Sequence, residues 1–87
     1  MSHASPLQFP CEFPIKAFGL DNGGFTQLVA EIARRHAPGL DDEAVTSRPS
    51  KGGKYLSVTL LIQAENQAQL DAIYRDLSAC AEVVMAL

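Results

Sequence analysis

The stretch of sequence that decides the fold runs from Tyr55 to Ala64 and reads YLSVTLLIQA. Apolar residues occupy every second position from Leu56 to Ala64, and residues such as Ser57 and Thr59 fill the positions between them. A period of two residues is typical of a β-strand that turns one face to a core and the other to solvent. We predict that this strand is the central, third strand of the domain.

Helical spacing replaces the alternation after this strand. Asn66 followed three residues later by Gln69 has the pattern of a capping box, which marks a helix start. Leu70, Ile73, Tyr74, Leu77 and Ala81 follow at helical spacing, and the helix is predicted over residues 67–80. Residues 82–87 (EVVMAL) are too few for a helix and rich in β-branched valine, so they predict the fourth strand.

A turn and a weak strand precede the central strand. Residues 50–54 read SKGGK, and the paired glycines are typical of a tight hairpin. Residues 44–49 (AVTSRP) form a short polar stretch that follows three acidic residues. Because proline cannot donate a hydrogen bond to a neighbouring strand, Pro49 favours an edge position. The second strand is therefore predicted at the edge of the sheet.

The first third of the chain supplies a strand, a turn and a helix. Residues 12–20 (EFPIKAFGL) are rich in strand-forming residues, with Pro14 near the start, and residues 21–24 (DNGG) read as a turn. The helix that follows has an apolar face formed by Phe25, Leu28, Val29, Ile32, Ala33 and His36. We expect Pro38 to end this helix and Gly39 to permit a left-handed exit.

The elements follow the order βαββαβ. With right-handed crossovers this order gives an antiparallel four-stranded sheet of order 4-1-3-2, with both helices on one face. The predicted fold is thus an α+β, ferredoxin-like sandwich that forms a single domain over residues 12–87. Residues 1–11 show no periodicity and are predicted to be a flexible N-terminal tail.

Composition excludes several classes of protein. The chain has 87 residues, 47% of them hydrophobic, and a net charge of −3, which fits one small globular domain and argues against non-specific nucleic-acid binding. Cys11 and Cys80 are too few for a disulfide scaffold, and the cysteines and histidines lack the spacing of a zinc site. We predict no metal and no cofactor. The start lacks the pattern of a signal peptide, so a cytoplasmic location is expected.

The turn after the first strand is a candidate ligand site. Asn22, Gly23 and Gly24 place backbone N–H groups at a helix start, where an anion is favoured. In the predicted topology Lys51 and Lys54 of the hairpin lie at the same end of the sheet. A small anionic metabolite would fit this arrangement. The alternative is that the glycines only allow a tight turn and the lysines are solvated.

The end of the first helix is a second candidate. Arg34, Arg35 and His36 lie in the last turn, where cations interact favourably with the helix dipole. These three residues are candidates for binding a partner, although stability alone also explains them. No catalytic residue is assigned, because no nucleophile, base and orienting group share a known spacing. The sequence therefore does not predict an enzyme.

Several segments of the chain carry a resemblance to a known family. They are, in order, Phe9-Pro10, Phe13, Lys16 and Gly19, then His36-Ala37-Pro38-Gly39, then Ser50-Lys51-Gly52 with Tyr55 and Ser57-Val58. In these segments the chain resembles the YbeD-like family of small, uncharacterised bacterial proteins. The resemblance implies an ACT-like ferredoxin fold, similar to regulatory domains that sense small molecules near the turn after the first strand. It implies no established activity, and it hints at lipoate metabolism as a pathway.

These observations together predict a non-catalytic regulatory or adaptor domain. It would bind a small anionic metabolite or a partner protein in trans, without a membrane, and weak homodimerisation is expected. The alternative is an RNA-binding module that uses the sheet face and the hairpin from Lys51 to Tyr55. That alternative needs aromatic residues on the sheet face, where Tyr55 stands with Ser57 and Thr59 and only Phe18 could join it.

Overall fold

The structure is a computed structural model that describes residues 7–87. Its elements are β1 (Cys11–Leu20), α1 (Phe25–Arg34), a 3₁₀ turn (Asp42–Ala44), β2 (Val45–Pro49), β3 (Tyr55–Ala64), α2 (Gln67–Ala79) and β4 (Val83–Ala86). The strands form one antiparallel sheet in the order β2-β3-β1-β4, which confirms the predicted ferredoxin-like topology. Of the tail predicted over residues 1–11, residues 1–6 lie outside the described part, and Phe9 packs against the core.

The central pair of strands builds the core. β1 and β3 pair over their full length, from Cys11 opposite Ala64 to Leu20 opposite Tyr55. The alternation seen in β3 places every second side chain under the helices, where Val58, Leu60 and Ile62 are fully buried. The helices cover them with buried residues of α1 and α2, which include Phe25, Val29, Ala33, Leu70, Ile73 and Leu77. No helix formed by residues 7–87 covers the opposite side of the sheet.

In each of the two strands that contain a proline, the proline nitrogen, which has no hydrogen to donate, faces away from the neighbouring paired strand. Lys16 and Leu87 exchange two backbone hydrogen bonds, of 2.9 and 2.7 Å, so the backbone N–H and C=O groups of the even-numbered residues of β1 point toward β4. Pro14 lies two residues before Lys16 on that side, beyond the last described β4 pairing. In β2 the Ser50 N–H donates to the Tyr55 carbonyl, which turns Pro49 outward by the same alternation. Neither proline therefore interrupts the ladder.

The end of α1 corrects one expectation. The helix ends at Arg34, and Gly39 does not have a positive φ, so the predicted left-handed exit is wrong. Arg34 instead holds the chain after the helix: its Nε donates to the Leu40 carbonyl at 2.9 Å and its Nη2 to the Asp42 carboxylate at 2.8 Å. A side chain, rather than a glycine, fixes the path from α1 to β2.

The start of α2 confirms the predicted cap and adds a link between the helices. The Asn66 side chain accepts a hydrogen bond from the Gln69 N–H at 2.8 Å. The Gln69 side chain accepts from the Glu65 N–H at 2.7 Å and donates to the His36 carbonyl at 2.9 Å. Gln69 therefore caps its own helix and ties it to the chain that leaves α1.

Candidate binding face of the sheet

The side of the sheet away from the helices, called the open face here, is built by alternate residues of the four strands. The register aligns them in cross-strand rows. One row contains Lys16, Thr59 and Thr46, and the next contains Met85, Phe18, Ser57 and Arg48. Because a β-strand fixes which residues share a face, residues far apart in sequence meet here on a rigid surface.

Apolar side chains cover one part of the open face. We call Phe18, Leu20, Tyr55, Met85 and Leu87 the apolar strip. Leu20 and Tyr55 are direct partners, as are Phe18 and Met85. Leu20 is 50% exposed, Met85 49% and Leu87 60%, whereas Phe18 is half-buried. Apolar side chains that gather on one exposed surface are typical of a surface that binds something.

A polar cleft adjoins the apolar strip. We call it the basic cleft; it has a volume of about 230 Å³ and is lined by Lys16, Thr46, Ser47, Arg48, Ser57 and Thr59. Lys16 comes from β1, Arg48 from β2 and the hydroxyls of Ser57 and Thr59 from the strand between them. The cleft thus has one cation on each side and hydroxyl groups on the floor between them.

Neither cation of the basic cleft forms an ion pair with another residue in the range 7–87. The two ion pairs among residues 7–87 join Arg34 to Asp42 and His36 to Asp76. On β1 the nearest acidic side chain of the same face is Glu12, which accepts a hydrogen bond from Gln63 at 3.3 Å. Glu12 stands four residues from Lys16 along the strand, about 13 Å away at the usual rise. The residues that line the cleft include two cations and no acidic residue, although the chain as a whole carries a charge of −3.

The structure brings the backbones of the predicted ligand site together but not all of its side chains. The Asp21 N–H donates to the Lys54 carbonyl at 3.0 Å, so the turn and the hairpin are neighbours. Gly23 has a φ of +89°, a backbone conformation that this turn requires and that glycine adopts without strain. The Asn22 side chain accepts from the Gly24 N–H at 3.0 Å and so uses one of the donors an anion would need.

The lysines of that site lie elsewhere. The Lys54 ammonium is 5.7 Å from the centre of the Tyr55 ring, a cation–π arrangement that places it beside the apolar strip. Lys51 is exposed in the hairpin. A groove of about 570 Å³ between α1 and β2 includes Gly23 at one end and Arg34 at the other, and neither lysine lines it.

The residues predicted to bind a partner make contacts within the chain. Arg34 is engaged by Leu40 and Asp42 as described above. His36 Nε2 lies 2.7 Å from the Asp76 carboxylate, which accepts a hydrogen bond from it, while Arg35 is exposed. This hydrogen bond lowers the pKa of the Asp76 carboxyl below its ordinary value of 3.8, and the charges of Arg35 and Arg75 act in the same direction. Two of the three residues thus join α1 to the loop and to α2.

An acidic groove lies at the opposite end of the sheet from the hairpin. It has a volume of about 660 Å³ and runs from His36 and Pro38 past the side chains of Glu12, Glu43 and Glu65. Within residues 7–87, no three His, Cys, Asp or Glu side chains are arranged to hold a metal ion. Neither helix in that range is both long and apolar enough to cross a membrane.

The basic cleft was not identified from the sequence. Lys16 and Arg48 are 32 positions apart, and nothing local to either residue marks it as part of a site. The signal that could have found them is the register: once β3 is central, counting from the hairpin places Arg48 opposite Ser57, and the β1 pairing places Lys16 opposite Thr59.

Comparisons with known proteins concern the family and the fold. Residues 4–87 match the family model DUF493, described as a protein of unknown function. A UPF0250 protein of Nitrosomonas europaea is 42% identical over 87 residues and covers all of both chains. A UPF0250 protein of Pseudomonas paraeruginosa is 50% identical over 82 residues, which is 93% of this chain and 88% of that protein.

A solved structure shares the fold. The solution structure of protein HP0495 from H. pylori matches with a TM-score of 0.79, covering 99% of this chain and 90% of that one. The two sequences are 17% identical, so the likeness shows the shared architecture alone. It supports the ferredoxin-like topology derived above.

Proposed function

The chain belongs to the DUF493 family of unknown function, and this membership confirms the resemblance to the YbeD-like family, so we propose a function from the residues exposed on the surface of the chain. We propose that it is a non-catalytic adaptor domain of the cytoplasm that binds a partner protein in trans through the open face. The observation that supports this proposal is the position of the exposed apolar residues. Of the seven large apolar side chains exposed among residues 7–87, five belong to the open face: Leu20, Tyr55, Leu61, Met85 and Leu87.

The shape and chemistry of the open face favour a protein over a small molecule. The basic cleft has a volume of about 230 Å³, below the roughly 300 Å³ of a typical small-ligand pocket. The apolar strip beside it consists of side chains held on a sheet. Exposed apolar side chains next to polar and charged groups are a combination found in protein interfaces.

The same face is less suited to RNA. Single-stranded RNA is held by aromatic side chains on which bases stack, together with several phosphate contacts. The open face offers Phe18 and Tyr55 as aromatic residues, and leucine and methionine fill the rest of the apolar strip. The net charge of −3 also opposes a polyanion. RNA binding is therefore the second outcome of the test rather than the proposal.

A binding role also fits the contacts of the groups that could act in catalysis. The side chain of His36 bonds Asp76 and its carbonyl accepts from Gln69, contacts that join the two helices. The Cys80 thiol donates to Glu82 at 3.5 Å, and Cys11 lies at the other end of the sheet, at the start of β1. These groups stabilise the scaffold or lie apart, so we assign them no reaction.

The test is partner capture followed by reconstitution. A tagged copy expressed in its own cells should retain a partner that Met85→Glu releases, because the charge disrupts the apolar strip. Purified partner added to the labelled domain should then shift amide resonances of the apolar strip. Enzymes of lipoate metabolism, the pathway at which the resemblance hints, are the first purified proteins to titrate.

The matched control is Leu7→Glu, a similarly exposed apolar residue outside the sheet that should leave capture unchanged. Retention of every partner by Met85→Glu would reject the open face as the binding surface. Salt-sensitive binding of RNA oligonucleotides on the same face would replace the proposal with the RNA-binding alternative. Saturable binding of an amino or keto acid at residues 21–25 would instead identify a metabolite sensor.

A further inference from the structure

We propose that the basic cleft is a carboxylate-binding site that receives an acidic side chain of the partner segment lying on the apolar strip. This inference rests on the proposed function, because it specifies the chemistry of the partner that the open face would accept. The cleft is defined by Lys16, Thr46, Arg48, Ser57 and Thr59.

The geometry suits a single carboxylate between two cations. Lys16 and Arg48 stand on β1 and β2, with β3 between them, two strand spacings apart and two residues apart along the strands, so their backbones are about 12 Å apart. Both side chains are long enough to lean over β3 from opposite sides. Thr59 lies in the row of Lys16 and Ser57 in the row of Arg48, so one hydroxyl accompanies each cation.

The donor set matches the two oxygens of a carboxylate. An arginine guanidinium presents paired N–H groups that bind a carboxylate with two parallel hydrogen bonds, and a lysine ammonium adds a point charge. The hydroxyls of Ser57 and Thr59 are half-buried on the floor and rotate to donate. Neither Lys16 nor Arg48 forms an ion pair among residues 7–87, so both charged groups are available to an anion.

The surroundings select an acidic group joined to apolar neighbours. Phe18 occupies the same cross-strand row as Ser57 and Arg48, and its own partner is Met85. A segment that places a carboxylate in the basic cleft therefore places adjacent side chains on the apolar strip. The small cleft and the negative net charge of the chain disfavour a polyanion, so the occupant is an acidic, apolar peptide segment.

The experiment titrates the labelled full chain with two short peptides. The probe has the acetylated and amidated sequence Leu-Glu-Leu-Glu-Leu, and its matched neutral control replaces both glutamates with glutamine. The acidic peptide should produce saturable amide shifts at Lys16, Ser57 and Thr59 with a millimolar Kd. The neutral peptide should bind more weakly, and added salt should weaken only the acidic one.

Variants separate the cleft from general charge. Lys16→Gln and Arg48→Gln should each weaken the acidic peptide about two- to fivefold, the range of an exposed charge pair, and leave the neutral peptide unchanged. Arg75→Gln on α2 removes the same charge elsewhere and should have no effect. The amide spectrum of each variant verifies that it is folded.

Each other outcome overturns the inference in a recognisable way. Equal binding of both peptides on the apolar strip removes the carboxylate site but keeps the open face as a docking surface. Inorganic phosphate that binds the basic cleft more tightly than the acidic peptide makes it a phosphate site. Shifts confined to residues 21–25 and 51–54, or no shifts at up to about 10 mM peptide, reject the cleft. The proposed function is tested separately, by whether Met85→Glu loses the partners that the wild-type chain retains.

Discussion

At the scale of single residues, Gly19 carries a constraint that no local pattern reveals. A Cβ added at this position would lie 2.4 Å from the carbonyl oxygen of Glu82 and 2.4 Å from Cε1 of Phe25. Gly19 is buried on β1, next to the point where the β1–β4 register shifts. The absence of a side chain lets the Phe25 ring and the backbone before β4 pack directly on the strand.

We predict that Gly19→Ala lowers the free energy of unfolding by about 1 to 3 kcal/mol, the cost of overpacking a core. One contact is with backbone and cannot move aside as a flexible side chain would. Gly39→Ala is the matched control, because an added Cβ meets nothing within 4 Å there and the φ is not positive. Urea denaturation compares the two, and equal midpoints would show that β4 and Phe25 adjust freely.

The His36–Asp76 pair gives a residue-scale prediction about pH. The hydrogen bond lowers the pKa of the Asp76 carboxyl, so the pair stabilises the native state above the ordinary carboxyl pKa of 3.8. That stabilisation is lost as the pH falls through the lowered value. Asp76→Asn should therefore reduce the melting temperature near neutral pH, and the difference from wild type should shrink in acid.

Melting temperatures from about pH 6 to about pH 3 measure this difference, since the ionised carboxylate is needed for it. Asp71→Asn is the control on the same helix, where the exposed carboxylate only accepts a 3.0 Å hydrogen bond from Gln67. A gap between Asp76→Asn and wild type that stays constant over this range would mean that the hydrogen bond contributes nothing through ionisation.

At the scale of secondary-structure elements, β3 makes the two faces of the sheet energetically different. Leu60 is fully buried beneath the helices, whereas Thr59 lies half-buried on the open face. We predict that Leu60→Ala costs about 2 to 5 kcal/mol of stability and Thr59→Ala well under 1 kcal/mol. Chemical denaturation of both variants is the measurement. Similar losses would contradict the assignment of the faces.

The same strand explains why the fold could be predicted. The alternation from Leu56 to Ala64 depends only on neighbouring residues, as does the cap formed by Asn66 and Gln69. The end of α1 could not be predicted in the same way. Its path depends on Arg34 reaching Leu40 and Asp42, contacts that form only when the loop has folded back on the helix.

The candidate sites show the same division. The turn at Asn22–Gly24 and the run from Arg34 to His36 are visible as short motifs, yet the structure uses Arg34 and His36 within the fold. The basic cleft has no motif, because Lys16 and Arg48 meet only through the pairing of three strands. Sequence reasoning detects sites within one element, and the register is needed for sites that span several.

At the scale of the whole molecule, the two edges of the sheet differ in how they are protected. On the outer edge of β2, Pro49 has no N–H, and the N–H of Val45 donates to the Asp42 carbonyl. On β4, Val84 is 65% exposed and the strand contains neither proline nor a charged residue. An apolar edge without these safeguards is a template for another strand.

We therefore expect weak self-association through β4, with an average mass between monomer and dimer only at high concentration. The association should be weak because the short strand offers few hydrogen bonds to a second copy. Sedimentation over a roughly hundredfold concentration range should therefore show the average mass rising with concentration. Val84→Lys should keep the chain monomeric by placing a charge on this edge, whereas Ser47→Lys, the same change on the β2 edge, should leave association intact. A monomer at every concentration would reject self-association and leave β4 to a different partner. Loss of association in Ser47→Lys alone would assign the contact to β2, against the protection that Pro49 provides.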